Sequence, residues 1–83
     1  MKVLYFAWLR QKIGVGEETV DPPAEVGDVR ALVEWLKGRG DGYCAAFQDI
    51  DAIKLAVNQE YASLDAPVAA GDEVAFFPPV TGG

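Results

Sequence analysis

The sequence predicts an α+β domain built as a mixed sheet of about five strands with one main helix. Three observations lead there. Short β-rich runs stand at both ends of the chain, bounded by Gly, Pro and Asn turn residues. One central stretch has helical periodicity. Only that one helix is strong, so the strands must do most of the packing.

Val3 to Trp8 is an apolar run of strand length, and Leu9 to Ile13 follows as a helical turn stopped by Gly14 and Gly16. Glu17 to Asp21 suits a second strand, antiparallel to the first and at an edge, because Pro22 and Pro23 finish it. Val29, Leu32, Val33 and Leu36 then stand at i, i+3, i+4 and i+7, one face of a helix. Gly27 or Asp28 can cap its start. Lys37 and Arg39 suit its negative end, and Gly38 or Gly40 can take the left-handed closing conformation. Trp35 is expected at the edge of the core. Tyr43 to Phe47 reads as a short helical turn. Ile53 to Val57 and Tyr61 to Leu64 are strands about a tight Asn58-Gln59 turn. Gly71-Asp72 turns the chain into a last strand, Val74 to Phe77.

The first and last strands are apolar at successive positions. Val3 and Tyr5 oppose Leu4 and Phe6; Val74 and Phe76 oppose Ala75 and Phe77. A strand apolar on both sides expects cover on both sides, and one helix covers only one. Two covers fit the pattern equally, namely a partner protein or the Tyr43 to Phe47 segment folded across.

Eighty-three residues make one domain with room for a real core. A net charge of −6 with scattered basic residues argues against nucleic-acid binding. The opening residues lack a signal-peptide cleavage site and fall short of the ~20 apolar residues a membrane span needs. A single cysteine, Cys44, excludes an internal disulfide, and a cytoplasmic location is expected.

Internal chemistry is sparse. The chain has no histidine, the commonest general base and metal ligand. Cys44 has no imidazole to activate it and reads as a partly buried, inert thiol. Glu17, Glu18, Asp49, Asp51, Asp72 and Glu73 read as solvated loop charges. Asp49-Ile50-Asp51 lacks the glycine and closing glutamate of a calcium loop, and two glutamates follow Gly14-Val15-Gly16 where a phosphate would be repelled. No metal site and no complete active site are expected.

The informative stretch is the end, "EVAFFPPVTGG". Pro78 and Pro79 stop the strand and stiffen the residues after it, dividing a 1–77 domain from a 78–83 tail. Six residues can project roughly 20 Å. Gly82 and Gly83 lack a Cβ and fit a slot too narrow for other residues. The reactive group there is the Gly83 carboxylate, a poor electrophile until its oxygen becomes a good leaving group, as adenylation would make it.

"GDEVAFFPPVTGG" (Gly71 to Gly83) resembles the C-terminus of the molybdopterin synthase small-subunit family, the sulfur carriers of molybdenum-cofactor synthesis. The similarity extends through "LAVNQEYASLDAPVAAGDEV" to the opening "MKVLYFAWLRQKIG". It implies a ubiquitin-like β-grasp fold. It also implies that a ubiquitin-activating-type adenylyltransferase uses ATP to adenylate Gly83, which becomes a thiocarboxylate. The tail of Pro78, Pro79, Val80, Thr81 and Gly82 would insert into the large, catalytic subunit, where sulfur passes to a pterin precursor. Gly82 would be the narrow-channel residue. Phe77, with Leu4 and Phe6, would belong to the apolar docking surface of a heterotetramer of two small and two large subunits. By the same resemblance, the chain is a non-catalytic sulfur donor that binds no cofactor itself. The alternatives are a carrier for thiamine or another thiolated metabolite, and a ubiquitin-like modifier that couples Gly83 to lysines.

Overall fold

The computed structural model describes residues 1–79; Val80, Thr81, Gly82 and Gly83 lie outside the described residues. The elements run β1 (Lys2–Tyr5), α1 (Trp8–Ile13), β2 (Glu17–Thr19), α2 (Val29–Lys37), α3 (Asp41–Ala46), a 3-10 turn (Ile50–Ala52), β3 (Lys54–Val57), β4 (Glu60–Ala62) and β5 (Glu73–Phe77). The strands form one sheet in the order β2-β1-β5-β3-β4. β1 pairs parallel with β5, and the other pairings are antiparallel. The first and last strands therefore lie side by side at the centre, and β2 is at an edge as its prolines required.

The amphipathic face of α2 sets one side of this sheet. Val29, Leu32, Val33 and Leu36 are buried against Val3, Tyr5, Val74 and Phe76. Its exposed first-turn amides all find acceptors. The Ala31 amide donates to Asp28 Oδ1 at 2.8 Å, while those of Val29 and Arg30 donate to the carbonyls of Ala66 and Leu64. Asp28 rather than Gly27 is thus the cap. The far end differs from expectation: Gly38 is right-handed (φ −72°) and Gly40 is extended (φ 158°). The coil runs on for another residue, with the Arg39 amide donating to the Leu36 carbonyl at 2.9 Å. That sets the Arg39 guanidinium over both Trp35 and Tyr43, 5.2 and 5.4 Å from the ring centroids.

α3 settles the question of the second cover. It packs on the same side of the sheet as α2, and Phe47 just after it meets Phe76 edge-on at 5.0 Å and Tyr5 at 6.4 Å. Among the described residues, the opposite side of the central strands has no element across it. Tight contact between α3 and α1 requires Gly42, where a Cβ would stand 2.5 Å from the Lys12 carbonyl oxygen.

Two expectations about polar residues are corrected. Glu18 is not a solvated loop charge: its Oε2 accepts from the hydroxyls of Tyr5 (2.8 Å) and Tyr43 (2.7 Å), and its Oε1 lies 3.3 Å from Arg39 Nη2. The carboxylate satisfies a tyrosine whose ring is in the core, and it ties β2 to α3 and the end of α2. Asp72 is a solvated loop charge as expected, and it accepts from the Ala69 amide and Asn58 Nδ2, bonds that hold its carboxyl below the usual value. Cys44 is exposed rather than partly buried, because α3 turns its other side, with Ala46, to the core.

Three non-glycine residues among those described have positive φ, namely Asn58 and Gln59 in a turn and Ala7. Ala7, between β1 and α1, has φ 55° and ψ −131°, a combination suited to the first central residue of a type II′ turn and to glycine. For a residue with a Cβ such conformations cost on the order of 1–3 kcal/mol.

Gly42→Ala should destabilise the domain by about 1–3 kcal/mol, read from the urea midpoint, because the methyl forces α3 off α1. Burial first, then the Glu18 carboxylate, pushes the Tyr5 phenol well above its usual value of 10.0, and Tyr43 shifts the same way. An acid with a raised folded pKa contributes stability that is whole below the unfolded value and is lost as pH rises past it. The domain should therefore lose stability above about pH 10, and less steeply in Tyr5→Phe, as denaturant midpoints at about pH 8 and about pH 11 would report.

Candidate functional site: the open sheet face and the root of the tail

The side of the sheet away from α2 is composed by alternation. In β1 and β5 the core takes Val3, Tyr5, Val74 and Phe76, which leaves Leu4, Ala75 and Phe77 on the other side. Strand register extends this into a row crossing all five strands: Glu17 beside Leu4, then Ala75, Ala56 and Tyr61. The next row is Phe6, Phe77 and Lys54; Phe6 follows the Tyr5–Phe76 pair, and its amide donates to the Phe76 carbonyl at 3.1 Å. Leu4, Phe6 and Phe77, expected to share a side, do share one.

The relief of this face follows from its side chains. Ala75 and Ala56 form a low floor between Leu4 on one side and Tyr61 on the other, with Phe77 in the next row beyond Ala75. Tyr61 stands edge-on to Phe77 at 5.9 Å. Phe6 is 47% exposed and Tyr61 84%, so two of the three large exposed apolar side chains among the described residues lie here; the other, Val15, is in a turn. One hollow at the face is lined by Leu4, Phe6, Ala7, Arg10 and Glu17, and another by Lys54, Leu55, Tyr61, Ala62 and Phe77. An apolar surface with charged residues at its margin is the composition of a protein-binding patch.

Tyr61 and Ala56 belong to this face and were not singled out from sequence, which places only Ala75 on the side of Phe77. The signal was available in the turn. Asn58 (φ 50°) and Gln59 (φ 70°) make a two-residue type I′ hairpin, which fixes Ala56 opposite Tyr61.

The face ends where the tail begins. The β5 ladder stops at Phe77, Pro78 is half-buried and Pro79 exposed. Val80, Thr81, Gly82 and Gly83, the remaining expected tail and reaction residues, lie outside the described residues. No helix among the described residues is long and apolar enough to cross a membrane.

Comparison with known proteins gives a consistent result. The profile of the ThiS family matches residues 3–83. The molybdopterin synthase sulfur carrier subunit of Escherichia coli (strain K12) is 41% identical over 83 residues, covering 100% of this chain and 99% of that protein. Among solved structures, a putative molybdopterin converting factor, subunit 1, from Pyrococcus furiosus is 40% identical with a TM-score of 0.75, covering 95% of each chain. The H. volcanii small archaeal modifier protein 1 is 31% identical with a TM-score of 0.72, again covering 95% of each. The sheet order and crossing helix are those of the ubiquitin-like β-grasp. The chain belongs to the ThiS family, with the sulfur carrier subunits of molybdopterin synthase as its relatives.

Proposed function

We propose that this chain carries sulfur on its C-terminal glycine for molybdopterin synthesis. The observation that bears most weight is continuity. An apolar, uncovered sheet face runs to Phe77, and the next residues are the stiff Pro78-Pro79 pair that leads to Gly83. A protein seated on Leu4, Phe6, Tyr61 and Phe77 would receive the tail in a defined direction, and the stiff Pro78-Pro79 pair would lower the entropy lost on threading it.

The chemistry follows from the carboxylate. An oxygen of Gly83 attacks the α-phosphorus of ATP on a ubiquitin-activating-type adenylyltransferase, and pyrophosphate leaves. A sulfide-level nucleophile (HS⁻) then attacks the acyl carbon and AMP leaves with the oxygen it was attached through, so that the terminus is a thiocarboxylate. In the large subunit this sulfur passes to the pterin precursor, and two carriers in turn supply the pair. Gly82 gives the thread its narrow section, and Val80 and Thr81 complete it. Two small and two large subunits make the heterotetramer. This chain binds no cofactor of its own and supplies no general base.

A second reading keeps the activation and changes the acceptor. Likeness to a small archaeal modifier protein supports coupling of an activated Gly83 to lysine amines. A carrier for thiamine would use the same steps.

Intact-mass analysis of protein isolated from its native cell should find one terminal oxygen replaced by sulfur. Isopeptide conjugates without that species would favour the modifier. Deletion of Gly83 should abolish sulfur transfer in the reconstituted synthase while the large subunit still binds; continued transfer would overturn the assignment. Phe77→Ala should weaken large-subunit binding by about 2 kcal/mol or more, measured by calorimetry, as for a central aromatic anchor.

A further inference from the structure

We propose that Lys54 orients the partner on the open face: the large subunit docks with a carboxylate against the Lys54 ammonium, next to the root of the tail. This rests on the proposed docking of a large subunit on that face, and adds the chemistry of one contact to it.

Strand register places the charge. Lys54 opens β3 and pairs with Phe77, while the following Leu55 is buried in the core. Lys54 is therefore exposed on the open face, in the row of Phe6 and Phe77. It is a cation in apolar surroundings, in a chain whose net charge is −6. Four of the seven basic side chains are held by carboxylates of the chain: Lys2 by Glu17, Arg30 by Asp65, Lys37 by Glu34 and Arg39 by Glu18. Among the described residues no carboxylate pairs with Lys54. The two hollows of the face differ in the same respect. The one that Arg10 lines also holds Glu17, so its charge is mixed. The one at Lys54, about 410 Å³, is walled by Tyr61 and Phe77 and holds no acidic residue.

A partner that covers Phe77 also takes water from the lysine beside it. An ammonium deprived of water is costly to bury unless an anion replaces the lost solvent. Basic groups, which suit the acidic surface at large, are repelled at this point. A carboxylate of the partner, next to an apolar side chain that enters the hollow between Tyr61 and Phe77, meets both demands. Complementary charge at one spot of an apolar face fixes the orientation of what docks there. Here the spot lies across from Phe77, the residue before Pro78, so the pair sets the direction in which the tail is presented.

Three full-length variants test this, with binding to the large subunit measured by calorimetry at about 50 mM and about 500 mM salt. Lys54→Met keeps the stem and removes the charge. It should keep the thermal midpoint, bind about tenfold more weakly at the lower salt, and lose affinity with added salt less steeply than the parent. Lys54→Arg should bind as the parent does. Lys54→Glu, which adds no apolar surface, should bind about a hundredfold more weakly. Carbodiimide treatment of the complex, which joins an amine to a carboxylate in contact with it, should place an amide between Lys54 and an acidic residue of the large subunit. Lys54→Met binding as tightly as the parent, or with the parent's salt dependence, would overturn the proposal, and the Lys54 nitrogen would then stay in water at the margin. Lys54→Arg binding as weakly as Lys54→Met would overturn it too. If Phe77→Ala leaves binding unchanged, the docking reading itself fails; if only Lys54→Met does, the role of Lys54 fails alone.

Discussion

The pairing of β1 with β5 is the contact on which the rest of the molecule depends. It joins the two ends of the chain in the middle of the sheet, in parallel, with Lys2 beside Glu73 and Tyr5 beside Phe76. The β1–β2 and β3–β4 hairpins are each local, and neither has a hydrophobic core alone. Only when β5 lies between them does one continuous surface exist for α2 and α3 to cover. The same register brings Phe6 and Phe77 together on the opposite side. Core and open face are two consequences of one alignment, because a strand alternates its side chains between them.

Much of this architecture was legible in the residues. The i, i+3, i+4, i+7 pattern of Val29 to Leu36 gave α2, and Asp28 announced its cap. Asn58-Gln59 marked the hairpin, and the two-sided apolar character of β1 and β5 marked them as strands that expect cover on both sides, while their central position came only with the sheet order. What pattern could not decide was where the Tyr43 to Phe47 segment would pack, since its aromatic residues suit either side. The deciding interaction was non-local: the hydroxyl of Tyr43 and that of the buried Tyr5 share the Glu18 carboxylate on the core side. Sequence reading of Glu18 failed for the same reason. A glutamate beside another glutamate in a short edge strand looks solvated until its partners on β1 and α3 are known.

The docking face was partly legible. Leu4, Phe6, Ala75 and Phe77 follow from alternation in single strands, but Ala56 and Tyr61 join them only through register. Small residues rarely attract notice in a sequence. Here Ala56 and Ala75 matter by leaving space, since the larger side chains around them would otherwise stand over a flat sheet. Ala7 was invisible for a different reason. Nothing in "FAWL" signals a positive φ, and the demand for one comes from Phe6 being held by β5 while Leu9 is held in the core.

The central position of β5 also bears on how the chain is made. Non-local pairings of this kind form late. During synthesis the sheet stays divided until almost the last residues have been added, so a chain that terminates early has lost its middle strand as well as its tail. Such a fragment has no continuous apolar face to offer. The fold thereby ties the open face to possession of β5: a chain that ends before Phe77 has no such face, whereas one that lacks only Gly83 keeps it.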